Sequence, residues 1–236
     1  MMIKRSALLI IAVLVVAPTL FGQGREMTVE EAYLQEAMEM MIIRETSRAD
    51  GREQKFIALE FIRNALERGS TNEEIQTALV MLAREGTMSQ ARERGRVMNN
   101  FPDIRREAAR YLGMVNTPES QAALIEIVRP QPGPGAEAEP MVLMEAVISL
   151  GAITAGEDDK AVEAIVHITN RFDRNTPPDN LLALAAIDSL ERIAQRNNGQ
   201  LDAAAVQLLI RLSIGDYAQS VRQKAAHVRN NLRGLR

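Results

Sequence analysis

A short phrase recurs along this chain with a period near 40 residues, and no other feature limits the fold as severely. In Ile104-Arg105-Arg106-Glu107-Ala108-Ala109-Arg110-Tyr111-Leu112-Gly113 an Ala is followed four positions later by a Leu, then a Gly. The three residues return as Ala146, Leu150 and Gly151, each displaced by 38, and Ala186 with Leu190 follows 40 later. A fixed period of this size implies stacked helix pairs, because a single pair cannot bury its apolar face alone. The four-residue spacing puts the Ala and the Leu on one helix face. The small residue admits a neighbouring helix and the large one fills the space a turn on.

The first 24 residues read as a secretory signal and are set apart from the fold. Lys4 and Arg5 give a positive start, Ala7 to Ala17 is an unbroken apolar run, and Pro18, Gly22 and Gly24 follow. That run is shorter than the roughly 20 residues needed to span a bilayer. Cleavage is expected after Gly22 or Gly24, with retention as an anchor the alternative. The expected location is therefore periplasmic or secreted. The chain has no Cys, so it is not a lipoprotein and has no disulfides to lean on.

Removing Lys4 and Arg5 leaves 26 basic residues against 31 acidic ones, a net charge near −5. Binding to nucleic acid needs a dominant basic face, so nucleic acid is not an expected partner. Aromatics make up only 3% and Trp is absent. Ala, Leu, Ile, Val and Met must then fill the core, as close-packed helices prefer.

Punctuation residues divide the rest into helices. Thr28-Val29-Glu30-Glu31 reads as a capping box opening a helix to about Thr46. A second covers Arg52 to Arg68 and stops at Gly69, and Thr71-Asn72-Glu73-Glu74 opens a third, again as a capping box from Thr71. Residues 87–100 read as a short helix or helical turn, although Gly95 costs about 1 kcal/mol there. Pro102 starts a helix to Gly113, and Thr117-Pro118 starts another to Val128. Residues 129–140 hold four Pro and two Gly and read as a loop. Further helices are expected at Met141–Ile153, Asp159–Phe172, Asp179–Gln195, Asp202–Ile214 and Ala218–Leu232. Nothing reads as a strand.

Phe101 to Arg129 resembles the HEAT repeat family in its short bacterial form. Pro102-Asp103-Ile104-Arg105 with Ala108-Ala109 and Leu112-Gly113 is similar to that family's first helix, Thr117-Pro118-Glu119 to its turn, and Ala123 to Val128 to its second helix. The match thins over 140–173, 178–215 and 218–236, where Asn230 takes the Leu position. The resemblance implies an all-α, right-handed solenoid of stacked antiparallel helix pairs: divergent repeats over 25–100 and a HEAT-like array over 101–236. It also implies that Arg105 and Arg222 join a ladder of polar contacts between repeats. Such arrays hold partner proteins, and some bacterial relatives present small molecules such as tetrapyrroles, for which this chain's missing Cys and few aromatics leave little grip.

Catalytic patterns are sparse. No H-x-x-x-H, G-x-S-x-G or G-x-x-x-x-G-K-[ST] occurs. His167 sits in the apolar run Ala164-Ile165-Val166-His167-Ile168 and reads as a packing residue, while His227 lies in a basic helix. Glu157-Asp158-Asp159 precedes a helix, where carboxylates oppose the macrodipole, so capping is expected there rather than a cation. No enzyme, metal or cofactor is expected.

Two ends of the chain stand out as partner-binding candidates. The first helix carries Met38, Met40 and Met41 with Ile42 and Ile43: burial by neighbouring helices is the favoured reading of so apolar a girth, and the other is a partner site, since flexible Met side chains suit adaptable protein grooves. The last carries Arg222, Lys224, Arg229, Arg233 and Arg236 without a carboxylate after Asp216. Met38, Met41, Arg222, Lys224, Arg229 and Arg233 are thus the expected contact residues. Another protein is the expected partner, and the basic end also suits an anionic membrane surface.

Overall fold

The computed structural model describes residues 28–129, 139–172 and 178–234, with side chains through residue 232. The expected signal segment, most of the Pro/Gly-rich loop and the Arg233 and Arg236 side chains lie outside the described residues. Among the described residues the chain is all-helical apart from one small hairpin. No described helix is long and apolar enough to cross a membrane.

The chain divides after Glu39 into two compact units. Helix α1 (Val29–Arg48) starts in the first with the expected capping box, and its residues from Met40 on belong to the second. The Glu31 amide donates to Thr28 Oγ1 at 3.2 Å and the Thr28 amide to Glu31 Oε2 at 3.0 Å. Val29, Tyr33, Leu34 and Met38 on this helix are all exposed.

The second unit holds the remaining helices. Helix α2 (Arg52–Glu67) ends at Gly69, whose φ of +81° suits the left-handed stop that glycine allows. Helix α3 (Glu73–Arg84) is capped by Asn72, not Thr71. The Asn72 Oδ1 accepts the Ile75 amide at 3.0 Å, moving the start one residue on from the sequence reading. Helices α4 (Pro102–Val115) and α5 (Pro118–Val128) flank Asn116, which takes the left-handed conformation at φ +57°. Gly113 therefore lies inside α4 and does not end it. Thr117 caps α5 as expected, accepting the Ser120 amide at 3.1 Å.

Helix α6 (Pro140–Ala152) takes Pro140, read from sequence as loop, into its first turn, where a missing N–H costs nothing. Helices α7 (Asp158–Phe172), α8 (Asn180–Arg196), α9 (Ala203–Ile214) and α10 (Gln219–Gly234) complete the chain. Asp179 and Asp202 cap α8 and α9, accepting amides from Leu181, Leu182 and Ala205 at 2.7–3.0 Å.

These helices stack in two series. Helices α2, α4, α6, α8 and α10 each pack against the next in that series, and α3, α5, α7 and α9 do likewise. Ala108, Ala146 and Ala186 are fully buried together with Leu112, Leu150 and Leu190. The glycine ending the phrase does different work. A Cβ on Gly113 would lie 2.8 Å from the Ser149 Cβ, and one on Gly151 would lie 2.5 Å from that of Ser189. Each Gly thus admits the Ser of the next helix in the series, and Ser189 Oγ donates to the Val147 carbonyl at 2.8 Å.

Polar contacts reinforce the stacking. Asn116 Oδ1 accepts the Thr154 and Ala155 amides at 2.7 and 3.2 Å, and Asn180 Oδ1 the Ala218 amide at 2.8 Å. Gln121 exchanges hydrogen bonds with the Glu157 backbone at 2.9 and 3.1 Å. In the shorter series Arg84 reaches Glu126 at 2.6 Å, Arg129 reaches Glu163 at 2.8 Å, and Arg211 reaches Asn170.

Residues 87–100 differ from the sequence reading. They form an antiparallel hairpin, β1 (Arg92–Glu93) and β2 (Arg96–Val97), in which Arg92 pairs with Val97 and Glu93 with Arg96. Arg94 and Gly95 both have positive φ, +48° and +82°. That is what a two-residue turn needs to match the twist of its strands.

Candidate partner-binding surface

The expected contact residues fall into different environments. Met38 and Met41 are 64% and 65% exposed, whereas Met40 packs against the core and Ile43 is fully buried. Arg222 is exposed, although Arg105 in the matching position of α4 is buried. Lys224 pairs with Asp188 on α8, and Arg229 Nη1 donates to Ser213 Oγ at 3.3 Å on α9. Lys224 and Arg229 of the last helix thus reach into its neighbours. His167 is exposed, so it is not the packing residue that its apolar sequence suggested; it points from α7 to solvent.

The carboxylate cluster before α7 joins two repeats. Asp158 accepts Arg196 Nη2 at 2.7 Å and Asn197 Nδ2 at 3.0 Å, while Arg196 Nη1 donates to the Gly151 carbonyl at 2.6 Å. The two terminal nitrogens of this guanidinium, one on a carbonyl and one on a carboxylate, hold the end of α8 against the α6–α7 turn, while its Nε is buried without a hydrogen-bond partner. Glu157 pairs with Lys160.

Between α2 and α4 runs a groove of about 620 Å³, with Phe56, Ile57 and Tyr111 on its walls and Arg63, Asp103 and Glu107 among its charged groups. Arg52 lies 4.6 Å above the Phe56 ring and pairs with Asp103. Burial, helped by the Glu107 carboxylate, raises the Tyr111 hydroxyl pKa above its ordinary value, so the group stays protonated. The groove sets the carboxylates of Glu53, Glu60, Asp103 and Glu107 against the guanidinium groups of Arg63 and Arg106.

Sequence reasoning missed the base of the hairpin. Lys55 and Arg105 are each only 2% exposed, and Glu85 and Asn99 are buried beside them. Lys55 Nζ meets Glu85 Oε2 at 3.0 Å and donates to the Ser47 carbonyl at 3.2 Å. Glu85 Oε1 accepts Asn99 Nδ2 at 2.6 Å, and the Asn99 Oδ1 accepts the Ala91 amide at 2.8 Å. Arg105 Nη1 donates to the Glu85 carbonyl and to Asn100 Oδ1, at 2.9 and 2.8 Å. Burial lowers the Arg105 pKa, and the Glu139, Asp103 and Glu85 carboxylates oppose the shift. Arg105 therefore anchors the hairpin; it does not join the contacts between repeats that the sequence led one to expect.

Gly86 closes the base at φ +71°, where a Cβ would lie 2.4 Å from the Asn99 carbonyl oxygen. A buried ion pair contributes little net stability but holds its surroundings to one arrangement when fully hydrogen-bonded. The hairpin itself is exposed, with the Arg94 and Arg96 side chains free of ion pairs and hydrogen bonds among the described residues and Met98 54% exposed beside them. A sequence signal existed in Arg94-Gly95, a two-residue turn between Arg92-Glu93 and Arg96-Val97, but strands of two residues carry no alternation to find.

A scan against protein-family models matches none, and a search of curated proteins gives no match.

Proposed function

We propose that this chain is an exported, non-catalytic scaffold or adaptor for another protein, built on a HEAT-like solenoid. The observation that supports the reading is the neighbour-to-neighbour stacking of α2 to α10. There the buried Ala-x-x-x-Leu phrases and contacts such as Asn116 to Thr154 recur between successive repeats. Such an array leaves a long run of helix surface on rigid supports, suited to recognition by shape with a few buried anchors. Polar groups of the kind catalysis would use, such as Asp158 and Arg196, are committed to holding repeats together.

The protein reading stands ahead of membrane binding because Lys224 and Arg229 are tied to α8 and α9. The test is affinity capture of the tagged full chain from its native cell envelope, with size-exclusion chromatography of the product. A defined complex outside the cytoplasm is expected. A strictly monomeric protein, or one confined to the cytoplasm, overturns the proposal.

A further inference from the structure

We propose that the hairpin between α3 and α4 is a docking arm for a carboxylate-bearing surface on the partner protein, with Arg94, Arg96 and Met98 as its contact residues. This rests on the adaptor reading and gives it a site and a partner chemistry. An isolated two-stranded hairpin is marginal in water, so its persistence has to come from its base. That base is the buried network of Lys55, Glu85, Asn99 and Arg105, next to the Gly86 turn. Nothing else in the described residues uses the tip that this network holds in place.

The register decides which side chains are offered. Alternate residues of a strand face opposite ways. Asn99 is buried at the base and Val97 half-buried on the same side, while Ala91, Glu93, Arg96 and Met98 lie exposed on the other. Arg92 braces the tip from its own side, donating to Gln90 Oε1 at 2.6 Å and to the Gly95 carbonyl at 3.4 Å. Arg94 stands in the turn itself. The outward face thus carries Glu93, Arg96 and the exposed Met98, with the unpaired Arg94 guanidinium in the turn beside them.

Several arginines of this unit have carboxylate partners: Arg44 with Glu74, Arg84 with Glu126, Arg129 with Glu163, Arg196 with Asp158. Arg94 and Arg96 lack one, and the chain carries an overall charge of −3. Their complement is a carboxylate on another molecule. Arg and Met are enriched at protein interfaces, and a guanidinium fork matches carboxylate geometry. A membrane surface is a poorer match, because anionic lipid recognition uses clusters of about four to eight basic residues, and here Glu93 lies opposite Arg96.

The test places a photo-crosslinking benzoylphenylalanine at Met98, in the full chain, in cells that naturally make it. Control copies carry it at Thr77 on α3 or Gln207 on α9. The expected result is a crosslink from position 98 to a protein segment rich in Asp and Glu. Its yield should fall roughly tenfold or more with Arg94→Glu/Arg96→Glu, while Arg94→Lys/Arg96→Lys retains more of it. Thermal melting of each variant should match the parent, since neither side chain has a partner to lose.

A crosslink indifferent to charge reversal overturns the proposal. So does charge-sensitive flotation with phosphatidylcholine vesicles doped with phosphatidylglycerol when position 98 yields no protein crosslink. Crosslinks from Thr77 or Gln207 but not from 98 overturn the docking arm and leave the adaptor standing. None from any position overturns both.

Discussion

The middle repeats and the segment from α2 to α4 share one apolar core but add different contacts to it. Between α4, α6 and α8 the joint is small and nearly apolar: Gly113 receives Ser149, and Gly151 receives Ser189. Between α2, α3 and α4 it is large and ionic, with Lys55, Glu85 and Arg105 buried around the foot of a hairpin. Small residues let regular elements approach, and dispersion across the joint does the rest. A hairpin foot carries backbone groups that cannot pair with a helix, so charged side chains must reach in to satisfy them. The difference teaches that the repeat tolerates an insertion only where polar groups are brought in to close it.

The most severe way to break the ionic joint is Lys55→Ala, which leaves Glu85 charged and buried. A loss of about 3–5 kcal/mol in urea unfolding is expected, whereas Lys55→Met/Glu85→Leu should lose far less. A single variant as stable as the parent would mean that the network is ornamental. For the small joint, Gly151→Ala should cost about 1–3 kcal/mol by overpacking against the Ser189 backbone. Gly113→Ala should cost less, because the Ser149 Cα is farther away, at 3.2 Å against 2.6 Å. Equal effects would show that close approach does not set the joint.

Asn116→Ala tests the polar contacts that accompany stacking. It strands two amides at the α6–α7 turn and should lose about 1 kcal/mol, read as a lower denaturant midpoint at unchanged slope. The smallest effect concerns Glu145, half-buried on α6. Burial raises its pKa, with Glu107 adding to the shift and Arg110 and Arg106 opposing it. A carboxyl whose folded pKa is raised is most stabilising below its unfolded value of 4.5 and loses that advantage as pH climbs through the folded value. Glu145→Gln should therefore melt slightly higher than the parent at neutral pH, with the gain vanishing in acid. A gain that persists in acid would point to packing instead.

The sequence revealed the regular parts because their signals are local. Thr117-Pro118, Asp179 and Asp202 mark helix starts through one side chain and one amide, and the phrase at Ala108, Ala146 and Ala186 marked the buried face. Gly113 was misread because its role depends on Ser149 in another helix, invisible to a reading along one strand of text. Arg105 and Arg222 look alike in sequence, yet one is buried under a hairpin and the other faces solvent. The hairpin was hidden by its own brevity. Of the candidate surface, Met38 and Met41 are exposed, while the ties of Lys224 and Arg229 depend on helices that only the fold brings near.

The hydrogen bonds that join successive repeats span 36 to 45 residues of sequence. A chain wired in this way behaves under tension like links in series. Each joint would carry the whole load, and stretching would open the weakest one before the rest yielded. Gly151 and Ser189 would then act less as a core than as a clasp, and the order in which clasps fail would be written in how closely each Gly fits its Ser.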